Sequence, residues 1–214
     1  MEENVSLLWD RPAGAAVATL ILAHGAGAPM DSAFMEWMAK GLMERGVTVV
    51  RFEFAYMAGR RTGASRRPPD PMARLLQRWR EAYEQVRQQA AGPLAIGGKS
   101  MGGRMASLLA DELAASALVC LGYPFYASGK PDKPRVAHLA QLKTPTLIIQ
   151  GERDALGNRE QVANYALADS IELLWMPAAD HDLKPLKRSG FSHDQHLSSA
   201  CERIARWLQE LPSS

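Results

Sequence analysis

The run AIGGKSMGGRMASLLAD, residues 95–111, sets Lys99 and Ser100 among four glycines, at 97, 98, 102 and 103. An apolar, strand-like segment precedes it and a helix-like one follows. Glycine inside either element costs about 0.5–1 kcal/mol relative to alanine, so four of them need a structural reason. Gly98-Lys99-Ser100-Met101-Gly102 matches G-x-S-x-G. A sharp strand-to-helix turn of this kind holds the serine in a strained backbone conformation and presents its hydroxyl to a site. Side chains two residues before and two after the serine would collide, hence glycine at 98 and 102. Gly103 lets the helix approach the sheet. The bland alternative is a glycine-rich turn with no chemistry attached.

Working outward, six short apolar runs read as strands: 17–24, 47–54, 93–98, 117–122, 144–151 and 171–177, with 5–10 as a seventh at an edge. Most are nearly continuous in aliphatic residues, the pattern of strands covered on both faces. Helical stripes alternate with them. Met35, Met38, Leu42 and Met43 share a face behind an Asp31 or Ser32 cap. Residues 71–90 carry Leu75, Trp79, Tyr83 and Val86, and a third stripe holds Met105, Leu109 and Leu113. A short fourth helix spans 158–168, and Leu197, Cys201, Ile204 and Leu208 mark a fifth. The expectation is one α/β domain over residues 1–214: a doubly wound, mostly parallel sheet of six or seven strands with helices on both faces. Ligands bind such sheets at the carboxyl ends of the strands.

A serine needs a base within hydrogen-bond reach, and the base needs an orienting carboxylate. Of five histidines, His24 and His181 stand directly beyond a strand end. The order Ser, Asp, His selects His181; His193 and His196 read as solvated or capping, and His24 as structural. Asp154, after a strand and the Gly151 turn, is the acid, with Asp180 and Asp182 as alternatives and helix capping as its plain reading. Two N–H donors must face the developing oxyanion. Met101, after the nucleophile, supplies one, and Ala26 in the loop HGAGAP (24–29) the other, with Gly27 second.

Lys99 reads as a salt-bridged lysine or as an attractor of acidic substrates. The loop 55–70 carries Arg60, Arg61, Arg66 and Arg67. It reads as a solvated loop, or as a mobile partial lid that binds a carboxylate or phosphate. Tyr123, Phe125 and Tyr126 either line an acyl pocket or pack a loop.

The 214 residues are 47% hydrophobic with a net charge of +2. That balance suits a globular protein and gives no support for a nucleic-acid partner. No run approaches the ~18 apolar residues of a membrane span, and the start MEENVSLLWD lacks the pattern of a signal peptide. The two cysteines, Cys120 and Cys201, lie in apolar segments and read as buried free thiols, which points to the cytosol. No metal-ligand spacing occurs. Gly25 and Gly27 begin a dinucleotide fingerprint, but Met30 stands where its third glycine belongs.

HGAG, GGKSMGG, GERD and ADHDLKP together resemble the α/β-hydrolase family. RFEFAYM, GGKSMGGRMAS, GYPFY and LKTPTLIIQGERDALG are similar to a compact branch of it, which includes bacterial hydrolase-like proteins, testis-expressed protein 30 and a domain of a histone-acetyltransferase-complex subunit. The resemblance runs over residues 5–211. It implies a Ser100–Asp154–His181 triad, no cofactor, and hydrolysis of an ester or related acyl bond of a small molecule. It equally allows a scaffold or binding module with little turnover. Dienelactone-hydrolase-like relatives carry cysteine at the elbow, where this chain has serine. Segment 122–143 leaves little room for a helical cap.

Overall fold

A computed structural model describes residues 4–61, 63 and 68–211. Its strands are β1 (Leu7–Asp10), β2 (Ala18–Ala23), β3 (Val47–Phe52), β4 (Leu94–Lys99), β5 (Ala117–Leu121), β6 (Tyr126–Ala127), β7 (Lys130–Pro134), β8 (Thr146–Gly151) and β9 (Ile171–Met176). Its helices are α1 (Ala33–Met43), α2 (Ala55–Arg61), α3 (Met72–Arg87), α4 (Met101–Ser107), α5 (Arg159–Val162) and α6 (His193–Gln209). Seven strands form one sheet in the order β1-β3-β2-β4-β5-β8-β9. Only β1, at the edge, runs antiparallel. The sheet is the mostly parallel, doubly wound one that the alternation of runs and stripes predicts.

The reason lies in the side-chain alternation of strands covered on both faces. In β2, Leu20 and Leu22 point into a core shared with Met35, Met38 and Leu42 of α1 and with Leu197, Cys201 and Ile204 of α6. Ile21 and Ala23 point the other way, into a core with Leu75, Trp79 and Val86 of α3 and Met105 of α4. Each face therefore buries apolar residues of every central strand. The fully buried ATLILA and VTVVRF runs have no solvent side to keep polar.

Four elements differ from the sequence reading. The stripe read through Leu109 and Leu113 is helical only over Met101–Ser107. Residues 55–61, read as loop, form α2, whose first turn closes through Met57 and Ala58 N–H bonds to the Phe54 carbonyl. Arg66 and Arg67 lie outside the described residues. The helix expected over 158–168 keeps only four residues, capped by the Asn158 side chain on the Gln161 N–H. Between β5 and β8, where no cap fits, the chain makes the small β6–β7 hairpin.

Topology fixes where a ligand can enter. From β2 the chain passes through α1 to β3 on one side. It then crosses back through α3 to β4 on the other side of β2. β2 and β4 are hydrogen-bonded neighbours, with Ala23 opposite Gly98. Their carboxyl ends send α1 and α4 to opposite faces and leave a crevice at the switch point. His24 and Ser100 follow those two ends.

Candidate active site

Ser100 occupies the turn between β4 and α4 with φ 51° and ψ −116°. A non-glycine residue at positive φ costs about 1–3 kcal/mol and persists where its surroundings over-determine it. Here the Ser100 N–H bonds the Leu121 carbonyl at 2.9 Å, and its own carbonyl accepts the Arg104 N–H at 3.0 Å. The flanking glycines are required by contact. A Cβ on Gly98 would lie 2.6 Å from the Ala23 carbonyl oxygen, and one on Gly102 would lie 2.5 Å from that of His24.

Asp154 follows β8 and is fully buried. His181 follows β9 in a tight loop closed by the Asp180 N–H on the Lys184 carbonyl and the Lys184 N–H on the Asp180 carboxylate, both at 3.0 Å. Asp154 Oδ2 lies 2.8 Å from His181 Nδ1, and His181 Nε2 lies 2.8 Å from Ser100 Oγ. An ionised carboxylate only accepts. Nδ1 therefore carries the ring proton, and Nε2 accepts from the Ser100 hydroxyl. The Leu156 N–H donates to Asp154 Oδ1 at 2.8 Å, and the Gln150 amide donates to Oδ2 at 2.8 Å. Gln150 also accepts from the Tyr123 N–H at 2.7 Å. Sequence reading passed over it, although an amide side chain near the end of the buried run TLIIQG was the available signal.

The loop after β2 is pinned from behind. His24 Nε2 accepts the Phe54 N–H at 3.2 Å, which leaves Nδ1 to donate to the Gly25 carbonyl at 2.7 Å. Burial lowers the imidazole from its ordinary value, so the neutral form that this arrangement needs is favoured. The Tyr56 hydroxyl donates to the Ala26 carbonyl at 2.9 Å. The C=O and N–H of a trans peptide point in opposite directions. Holding the Gly25 carbonyl toward His24 thus turns the Ala26 N–H away from it. The Met101 N–H is the first of α4 and has no intrahelical acceptor.

The family described as Alpha/beta hydrolase domain matches residues 16–209. The chain belongs to that family. Among solved structures, an α/β serine hydrolase homologue from Coxiella burnetii is 23% identical, with 95% of this chain and 91% of that chain covered and a TM-score of 0.73. An α/β serine hydrolase without lid from Xanthomonas campestris is 24% identical over 98% of this chain and 91% of that one, TM-score 0.73. The esterase domain of a Rhodothermus marinus protein is 16% identical over 97% and 98%, TM-score 0.68. At these identities the likeness is one of fold.

Two cavities of this α/β-hydrolase domain meet at Ser100 and Ala26. One, of about 430 Å³, runs between α4, α3 and the β6–β7 hairpin and is lined in part by Met101, Met105, Leu75 and Tyr126. The other, of about 320 Å³, lies toward α1 and is lined by Gly27, Phe34, Lys99 and His181. Lys99 donates to the His181 carbonyl at 2.7 Å and pairs with Asp182 at 3.1 Å. Burial lowers the lysine from its ordinary value, and Asp182 opposes that shift.

Other candidates fall elsewhere. Tyr123 is fully buried, packs edge-on against Phe125, and sends its hydroxyl to the Arg135 carbonyl at 3.2 Å, so it does not line an acyl pocket. Tyr126 does line the larger cavity, its phenol bonded to Gln161. Arg61 is forked onto Glu53 at 2.6 and 2.7 Å and reaches Asp31 at 2.7 Å; Arg60 lies over the Tyr56 ring. Neither lines either cavity. Helix α2 aims both at groups of the protein itself, which corrects their reading as substrate contacts. His193 and His196 bond the carbonyls of Asp182 and Leu183 and stand apart from Ser100. Among the described residues, no cluster of three His, Cys, Asp or Glu could hold a metal ion. Among the same residues, no helix is long and apolar enough to cross a membrane.

Proposed function

We propose that the protein is a serine hydrolase of carboxylesterase or thioesterase type, acting on an acyl bond of a small molecule. One observation carries the reading: two consecutive 2.8 Å hydrogen bonds link Asp154 through His181 to Ser100 on the strained elbow. As Ser100 Oγ attacks the acyl carbon, His181 Nε2 takes its proton. Asp154, held by Gln150 and the Leu156 N–H, fixes the ring tautomer and stabilises the imidazolium. The N–H groups of Ala26 and Met101 receive the oxyanion. His181 then protonates the leaving group, leaving an ester on Ser100. A water that gives its proton to His181 releases the acid and restores the hydroxyl. The two cavities divide the acyl and leaving groups between them. No step calls on a cofactor. We place the enzyme in the cytosol, since Cys120 and Cys201 are buried and unpaired, and in the compact branch of the family.

The reading is tested with 4-nitrophenyl esters of increasing acyl length. A nitrophenolate burst of one per chain, followed by slower turnover, is expected. Ser100→Ala should lower kcat by about 10³–10⁶-fold. Full activity in that variant would place the chemistry elsewhere. A folded protein with no burst on any ester would favour a scaffold that keeps the fold alone.

A further inference from the structure

Arg104 and Arg135 both line the larger cavity beside Ser100. Arg51, Arg61 and Arg78 are neutralised within the chain by Asp10, Glu53 and Glu81, and Arg45 is held by the Gly41 carbonyl and the Ser198 hydroxyl. Among the described residues no carboxylate or side-chain acceptor engages the guanidinium of Arg104 or Arg135, and Arg104 Nε is buried without a partner. Burial pulls Arg104 below its ordinary value, and Arg135 adds to the effect by like-charge repulsion. Two neighbouring cations on an apolar wall, one with a bare donor, are unfavourable unless an anion joins them.

The fold spends a buried network on holding these two residues. The Ser107 hydroxyl donates to the Arg104 carbonyl at 2.8 Å and receives the His138 Nε2–H at 2.8 Å. The Tyr123 hydroxyl donates to the Arg135 carbonyl, and the Arg135 N–H bonds the Phe125 carbonyl. Arg104 stands four residues after Ser100, one helical turn on, so the two residues share a face. The cavity's one carboxylate, Asp70, is turned to the Tyr56 N–H at 2.9 Å and to Arg74. Leu75, Met101, Met105 and Leu156 supply apolar wall for a hydrocarbon spacer.

We propose that Arg104 and Arg135 form an anion subsite that selects esters bearing a second, carboxylate group, such as monoesters of short dicarboxylic acids. The forked guanidinium donors match the two oxygens of a carboxylate. The spacer would lie along the apolar wall with the acyl carbon at Ser100. This specificity rests on the serine-hydrolase reading, and the cation pair that carries it is independent of Lys99, Arg60 and Arg61, all engaged elsewhere.

The test compares mono-4-nitrophenyl glutarate with its methyl ester, which differs only in lacking the free carboxylate. The acid form is expected to have a kcat/KM at least about tenfold higher at low ionic strength, falling as salt rises. Arg104→Gln and Arg135→Gln should each lower that ratio about tenfold, and Arg135→Glu should bring it below one. A ratio near one in the native enzyme, or one unmoved by all three changes, overturns the subsite. General damage from a substitution would depress both esters and leave their ratio standing. Calorimetric titration of Ser100→Ala protein with glutarate reads the subsite without turnover. Saturable binding, weakened at least about tenfold by adding Arg104→Gln, supports it; no binding overturns it. Glutarate binding with neither ester cleaved would sink the hydrolase reading and keep the subsite. Cleavage without preference would do the reverse.

Discussion

The Lys99 ammonium donates to the backbone carbonyl of His181 at 2.7 Å, across 82 residues of chain. The residue before the elbow serine thereby fastens the loop that carries the imidazole. Asp182, next in that loop, adds a second contact at 3.1 Å. Lys99→Met should let the loop drift and lower kcat about 10–100-fold, because a displacement near 1 Å is enough to lose that much. Stability should change by no more than about 1 kcal/mol. The substitution removes a poorly hydrated cation, and the Asp182 side chain, 69% exposed, keeps its water. Unchanged kcat with lowered Tm would reduce Lys99 to a structural tie.

Gln150 works from behind. Replacing it with leucine removes the donor to Asp154 and strands the Tyr123 N–H. Unfolding in urea should show a loss of about 1–3 kcal/mol, the cost of unsatisfied buried groups. The rate of the nitrophenolate burst should fall about tenfold or more. A burst that survives at full rate would show that the Leu156 N–H alone holds the carboxylate.

Gly102 and Gly27 provide a contrast. A methyl on Gly102 meets the carbonyl oxygens of His24 and Ala23 at 2.5 and 2.6 Å, whereas one on Gly27 meets nothing within 4 Å. Gly102→Ala is expected to cost about 2 kcal/mol or more, since backbone must move. Gly27→Ala should stay within about 0.5 kcal/mol. Equal effects in thermal denaturation would mean that the elbow is not pressed against β2.

Stability should fall on mild acidification. Burial lowers His24 from 6.5, and burial together with Arg104 lowers His138. The unfolded chain therefore binds more protons than the folded one as pH drops through about 6.5. The folded state loses stability from there down to the folded-state values. The slope is limited to about 1.4 kcal/mol per pH unit for each group, with the partly exposed His138 contributing less than His24. Urea midpoints between pH 8 and 5.5 should decline, and His138→Gln should make the decline shallower. A flat or rising curve would mean that these rings charge freely in the fold.

Much of this architecture is legible in the sequence because buried parallel strands are continuous apolar runs that few other elements imitate. Ser100, Asp154 and His181 could be singled out for the same reason: each stands just past such a run. Helix α2 was not legible. Its Gly59, Arg60 and Arg61 read as loop, and its first turn is set by the buried Tyr56 and Met57 and by the carbonyl of Phe54. Tyr123 could not be told from Tyr126, since only the bend after β5 decides which ring turns inward. The two readings of the arginine-bearing segment 55–70 stayed open for a related reason. Charge is visible in a sequence, but the pairing of Arg61 with Glu53, and the lack of such a partner for Arg104 among the described residues, depend on which elements meet.

The central claim is that the imidazole of His181 activates the hydroxyl of Ser100. Treatment with a fluorophosphonate, followed by peptide mass spectrometry, tests it directly. The expected result is a single phosphonyl adduct on the peptide holding Ser100, absent in Ser100→Ala and slowed at least about 10³-fold in His181→Ala. A folded protein that stays unlabelled, or labels as fast without the imidazole, would contradict it.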